Sequence, residues 1–244
     1  MNIDKLSDRL QNVANFILQF SESPRRLVDI GSDHAYLPCY LAQKRQIDWA
    51  IAGEIADGPL QAAKTQIQAH QLNTMVEARK GDGFEVIQST DQINVASICG
   101  MGGNLITNIL EEGRQRNILP STLVLQANNG MERLRKWLNN HSYAILAEDI
   151  VLEKDQFYEM LVAKKQNEVK TLNQKDFVFG SHHLQCPSNL FYQKWRQELS
   201  HQVHVLNQLM TNIDTTTNPK RHAKIKETQI RIAMIQEVLN NESH

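Results

Sequence analysis

The feature that most constrains this 244-residue chain is a repeated alternation of short β-rich runs with helical stretches. The runs RLVDIG (26–31), WAIAGE (49–54), MVEARKG (75–81), INVASIC (93–99) and TLVLQA (122–127) are rich in apolar and β-branched residues and have strand length. After each, the pattern changes to helical spacing, predicting helices over 36–44, 58–71, 84–88, 103–116 and 131–139. Strand, crossover helix and next strand form the βαβ unit, so these five strands are expected to lie parallel in one sheet. A further helical period, Leu6, Leu10, Val13, Phe16, Ile17 and Phe20, precedes them and is broken by SESP.

The rhythm then stops. YAILAEDIVLEKDQFYEMLVAKK holds two strand-like runs joined by a turn at 153–156, too short for a crossover helix, which predicts a hairpin. Five crossover strands ending in a hairpin fit an α/β, Rossmann-like, seven-stranded and mostly parallel sheet of the class I methyltransferase type. An all-parallel dinucleotide fold fits less well and competes until the motifs are weighed. From about residue 166 the composition shifts to Gln, Asn, Lys and His, which predicts two domains, 1–165 and 166–244. In the second, Phe191, Trp195, Leu199, Val203, Leu206 and Met210 recur at intervals of three and four, as do Ile225, Ile232, Ile235 and Leu239. With the polar stretch TNIDTTTNPKR between them, they predict an antiparallel helical hairpin of coiled-coil character.

A chain that is 41% hydrophobic and 22% charged can bury a core of this size, and a net charge of -1 gives it no overall positive field. Any polyanionic partner must therefore meet local patches. The three cysteines lack metal-ligand spacing, which points to reduced thiols and no metal site. The amino terminus does not have the form of a secretory signal, and no apolar run approaches about 18 residues. A cytoplasmic protein with no membrane partner, monomeric or weakly dimeric, is expected.

In doubly wound sheets ligands bind at the carboxyl ends of the strands, and here those ends carry acidic residues and glycines. The first run ends in Asp29 and Gly31, and the loop continues Ser32, Asp33, His34 and Tyr36. A pyrophosphate wants a glycine-rich turn with bare backbone amides, which Asp33 and His34 interrupt. S-adenosylmethionine has no phosphate; its sulfonium and ammonium suit Asp29 or Asp33. Glu54 stands where a carboxylate accepts hydrogen bonds from ribose hydroxyls, about 20 residues after the first loop. Gly81, Asp82 and Gly83 can receive an adenine amino group. The fourth run leads into CGMGG, Cys99 to Gly103, which would shape the acceptor pocket, and Gln126, Ala127 and Asn128 can either read a base edge or cap the next helix.

In order and separation, DIGSDHAYLP, AGE followed by GP, GDG, GMGG and the LRKWL helix closely resemble the bacterial tRNA adenine-N1-methyltransferases that modify adenine 22 in the D arm, often called TrmK. The likeness runs from about 27 to 165, and FG at Phe179-Gly180, KW at Lys194-Trp195 and the helical tail extend it. This resemblance implies a class I fold with S-adenosyl-L-methionine as cofactor, tRNA as partner, and a carboxyl-terminal domain that helps grip it. Carried over by position, Asp29, Gly31, Ser32 and Asp33 lie by the methionine part, Glu54 by the ribose, Asp82 and Gly83 by the adenine, and Cys99 and Gly100 close to the cofactor. Cys99 stands where the family more often has Ala, and Ala127 where it more often has Pro.

For the reaction, Asp33, His34 and Tyr36 are the catalytic candidates, with Met101, Gly102 and Asn128 at the target base. Adenine N1 has an in-plane lone pair, so positioning matters more than a base, and the target must be unpaired or displaced from its stack. Phosphate contacts are expected from Arg133 and Arg135 and from Lys220, Arg221 and Lys224 in the tail; Arg25, Arg26, Lys136, Lys194, Arg196 and Lys226 are further basic candidates. Two alternatives are a methyltransferase of the same fold acting on a small molecule or protein, and a noncatalytic S-adenosylmethionine-binding protein.

Overall fold

The computed structural model describes residues 3–211 and 219–243. Seven strands form one sheet in the order β3-β2-β1-β4-β5-β7-β6, with β1 (Arg26–Ile30), β2 (Trp49–Glu54), β3 (Val76–Lys80), β4 (Val95–Met101), β5 (Thr122–Ala127), β6 (Tyr143–Glu153) and β7 (Gln156–Lys165). The first five are parallel, and β7 runs antiparallel to both of its neighbours. The strand order reverses between β1 and β4, the switch point at which such sheets bind ligands.

Alternation along the strands feeds two cores, one on each face. Leu27, Ala50, Ala52, Val95 and Val124 point to one side, where α1 (Asp8–Phe20), α2 (Tyr36–Gln43) and α3 (Asp57–Ala69) supply Val13, Ile17, Leu41 and Ile67. Val28, Ile51, Ala96, Leu123 and Leu125 point to the other, where α4 (Gly103–Gln115) and α5 (Met131–Asn140) supply Ile106, Leu110, Leu134 and Leu138. Helix α1 begins two residues later than the apolar period because the Ser7 hydroxyl accepts the Leu10 N–H and caps it. The hairpin turns at Lys154 and Asp155, both at positive φ, as a two-residue connection requires.

One expected helix is absent. Residues 84–88 hold a single 3-10 turn, Gly83–Val86, followed by another at Ser89–Asp91. Five residues containing Val86 and Ile87 are too few to nucleate an α-helix, and the Asp91 carboxylate takes the Gln88 N–H at 2.6 Å instead.

The chain divides into two compact units, one ending at Ser181 and the other beginning at His182. The short helix α6 (Gln174–Phe179) belongs to the first. At the junction is α7 (Ser181–Gln185). In the second, α8 (Asn189–Thr211) and α9 (Pro219–Asn240) pack side by side. They run antiparallel: Arg196, near the start of α8, pairs with Glu242 beyond the end of α9, while the Arg221 guanidinium at the start of α9 donates to the Leu209 carbonyl near the end of α8. The polar connection expected between them falls on 212–218, outside the described residues. Among the described residues no helix is long and apolar enough to cross a membrane.

Candidate active site at the carboxyl ends of the strands

Asp29 is buried at the end of β1, where its two oxygens accept the Ser32 hydroxyl at 2.5 Å and the Ser97 hydroxyl at 2.6 Å. Burial pushes its carboxyl up to about 6, against the opposing pull of both hydroxyls and of the nearby Arg9 guanidinium. The chain then turns sharply, with Gly31, Asp33 and Ala35 all at positive φ. Glycine is favoured at 31 by its φ of +68°, and a Cβ there would stand 2.3 Å from the Met101 methyl, so that side chain would have to move. The turn hangs on β2: the Gly31 and Ser32 N–H groups donate to the Gly53 carbonyl, and the Asp33 N–H donates to the Glu54 carboxylate. Glu54 is itself buried, and burial holds its carboxyl above the ordinary value.

The Asp33 side chain is 68% exposed and lies 2.8 Å from His34 Nδ1. The His34 ring stacks on Tyr36, with centroids 5.3 Å apart. At the end of β3, the Gly81 N–H donates to the Glu54 carbonyl, which brings the exposed Asp82 and the positive-φ Gly83 beside Glu54.

The ends of β4 and β5 are tied by Gln126, which is fully buried in the middle of the sheet. Its carbonyl accepts the Gly100 N–H at 2.9 Å and Arg9 Nη1 at 2.6 Å, and its amide donates to Asn128 Oδ1. Asn128 in turn donates to the Gly100 carbonyl at 2.8 Å. Asn128 thus forms a staple across the two loops, an arrangement apart from both readings of the sequence. In GMGG, the last glycine serves packing: a Cβ on Gly103 would lie 2.5 Å from the Gly130 carbonyl oxygen, where the β4-α4 and β5-α5 loops touch.

Asp29, Gly31, Ser32, Asp33, Tyr36, Cys99, Gly100 and Met101 line one cavity of about 380 Å³, together with Arg9, Leu10 and Leu37. Sequence reasoning missed Arg9 and the central role of Gln126. A glutamine inside the apolar strand TLVLQA is a signal that could have found the second. Arg9 carries no local signal, since its meaning comes from α1 docking against β5, β6 and β7. Burial also raises the Cys99 thiol far above its ordinary value.

Arg135 requires a correction. Expected on a phosphate, it is 0% exposed, with Nε on Glu148 at 2.6 Å, Nη2 on Glu159 at 3.2 Å, and Nη1 on the Phe177 and Val178 carbonyls. The helical period turns Arg135 inward beside Leu134 and Leu138, whereas Arg133 faces solvent. Lys220, Arg221 and Lys224 belong to the second unit, with Lys220 and Lys224 exposed. Among the described residues no group of three or more His, Cys, Asp or Glu side chains is placed to hold a metal ion.

Residues 27–237 match the family model described as tRNA (adenine(22)-N(1))-methyltransferase. A Bacillus subtilis protein of that same description is 37% identical over 99% of this chain and 100% of its own length. A Streptococcus pneumoniae protein, solved in complex with S-adenosyl-L-methionine, superposes with a TM-score of 0.84 at 36% identity, covering 96% of this chain and 100% of that one. TrmK of M. capricolum, solved with S-adenosyl-homocysteine, gives 0.82 at 28% identity over 96% of this chain and 98% of that one.

Proposed function

Because the chain belongs to the tRNA (adenine(22)-N(1))-methyltransferase family, we propose that it transfers a methyl group from S-adenosylmethionine to N1 of adenine 22 in tRNA. The observation that carries this reading is the carboxylate-lined cavity at the switch point of a chain that matches the family along nearly its whole length. The residues present fit the cofactor. Asp33 and His34 stand in the loop where a pyrophosphate would need bare amides, and the buried Asp29 lies at the strand end beneath them.

Asp29, Gly31, Ser32 and Asp33 would hold the methionine part, Glu54 the ribose, Asp82 and Gly83 the adenine, with Cys99 and Gly100 along the wall toward the acceptor. When bound, S-adenosylmethionine supplies an electrophilic methyl carbon on a sulfonium. The chain's part is to align the target. N1 of adenine needs no deprotonation, so no general base is required of any residue here. The stacked His34 and Tyr36 rings offer a face for a displaced adenine. The exposed Asp33 carboxylate stabilises the positive charge that N1 methylation leaves on the base. Met101 and Gly102 lie at the rim on the acceptor side, held in place by Asn128. Arg133 and the tail residues Lys220, Arg221 and Lys224, within the second unit that begins at His182 rather than at 166, contact tRNA phosphates. The cytoplasm, where tRNA and reduced thiols coexist, is the compartment of this activity.

The test is methyl transfer from labelled S-adenosylmethionine to unmodified tRNA carrying adenine 22, with nucleoside analysis and reverse-transcription mapping. N1-methyladenosine at that position, lost when the single base is replaced, is the expected result. Cofactor binding with no product on any tRNA would overturn it.

A further inference from the structure

The amides at the end of β5 are not equally available to a base. Gln126 is fully buried, its carbonyl accepting from the Gly100 N–H and Arg9 and its amide donating to Asn128. Asn128 is engaged at both ends, accepting from Gln126 at 3.1 Å and donating to the Gly100 carbonyl at 2.8 Å. Asn129 differs. Its main chain is fixed, because its carbonyl accepts the Gly103 N–H at 2.8 Å, but its exposed side-chain amide makes no hydrogen bond among the described residues.

Gly102 locates that amide. Its φ of -74° and ψ of 145° are ordinary extended backbone, so the glycine is not needed for conformation. A Cβ at 102 would stand 3.2 Å from Asn129 Oδ1, and its three nearest neighbours would all be atoms of the Asn129 amide. The amide therefore lies across Gly102, the residue that follows Met101 in the cavity wall.

A free carboxamide presents an acceptor and a donor side by side. Adenine presents their complement on its N6 and N7 edge, the pairing by which Asn holds adenine through two hydrogen bonds. Held by that edge, the base keeps N1 unobstructed for the methyl carbon. Guanine offers two acceptors there, O6 and N7, so Oδ1 would face an oxygen. The contact also favours the transfer itself. As the methyl carbon passes from sulfur to N1, positive charge passes from the sulfonium to the N1–C6–N6 unit and no proton is released. The hydrogen bond from the N6 amino group to Asn129 Oδ1 strengthens as that charge develops.

We infer that Asn129 reads the N6 and N7 edge of the target adenine, and that residue 102 is a glycine to leave room for its amide. The inference rests on the methyl-transfer reading above.

The test pairs variants with tRNA carrying either adenine or 7-deazaadenine at position 22; the analogue keeps N1 and the N6 amino group and lacks N7. Asn129→Ala should lower kcat/KM on adenine about 10- to 100-fold, mostly in kcat, and several-fold less on 7-deazaadenine. Asn129→Asp keeps the acceptor for N6 and loses the donor for N7, so it should fall on adenine and approach the wild type on the analogue. Gly102→Ala should mimic Asn129→Ala on adenine and add little to it in the double variant. Calorimetry with S-adenosylmethionine should give the wild-type affinity for both Asn129 variants, which also shows that the site is folded; a loss there would put the amide on the cofactor and overturn the inference. An equal loss on both bases, or none, would overturn it too. So would a raised KM with kcat untouched, which would put Asn129 on the tRNA backbone. In each of these cases the wild type still methylates adenine 22, whereas no transfer by the wild type to any tRNA would sink the transfer reading and the inference with it.

Discussion

Asp29 links the folding of the chain to its chemistry. Its carboxyl titrates near 6 in the folded protein against an ordinary 3.8, because burial outweighs the two serine hydroxyls and Arg9. The folded state therefore holds the proton more tightly than the unfolded state. The contribution of Asp29 to stability is therefore largest below about pH 4, falls as pH rises toward about 6, and above that carries the full cost of the buried charge, about 3 kcal/mol by the size of the difference. Ligand binding reverses the preference, since a sulfonium and an ammonium favour the ionised form. Affinity for S-adenosylmethionine should thus rise between about pH 5 and 7.5, and Asp29→Asn should flatten the rise while making the unliganded protein less sensitive to pH in thermal denaturation. A wild-type affinity that does not change over that range would show that Asp29 does not face the cations. At the neighbouring strand end, Glu54→Ala removes both the support of the Asp33 N–H and the carboxylate proposed for the ribose. It should weaken S-adenosylmethionine and 5′-methylthioadenosine, which lacks the amino-acid end, alike, and calorimetry with the two ligands checks this.

At the level of elements, Arg135 joins four of them: it sits on α5 and reaches β6 through Glu148, β7 through Glu159 and the end of α6 through two carbonyls. Arg135→Met leaves two buried carboxylates without their guanidinium and should destabilise the chain by about 3 to 5 kcal/mol in urea unfolding. Normal stability with weakened tRNA binding would instead return Arg135 to the surface role suggested by its basic neighbours. Strands β1 to β5 and the closing hairpin were legible in the sequence because burial imposes a period that local residues record. So were Asp29, Gly31 and Asp33, which lie at the end of β1 or just past it and line the cavity. The inward turn of Arg135 was not, because basic residues in a helix look alike until their partners on β6 and β7 are known. Residues 84–88 misled for a related reason: the apolar content fits a helix, but Asp91, three residues beyond, takes the Gln88 N–H. Arg9 and Asn128 gain their meaning only when β4, β5 and α1 come together.

For the whole molecule, 26 basic residues against 27 acidic ones leave no general attraction for RNA, so tRNA affinity must rest on where the cations are placed. In α9, Lys220 and Lys224 are exposed, and Lys224 pairs with Glu227 at 3.1 Å, a surface interaction of small net value that a phosphate can replace. Arg221 differs, since its guanidinium holds the Leu209 carbonyl and ties the two helices of the second unit together. Changing it would confound the removal of a phosphate partner with a loosened hairpin. The informative variant is Lys220→Glu with Lys224→Glu. It should raise the KM for tRNA about tenfold at low salt and reduce the dependence of log affinity on log salt by about one for each phosphate no longer neutralised, with kcat and cofactor affinity unchanged. The salt dependence is the deciding measurement, because a variant that merely perturbed the tail would bind more weakly without changing the slope. An unchanged KM and slope would remove the tail from tRNA binding and leave recognition to Arg133 and the rim of the cavity.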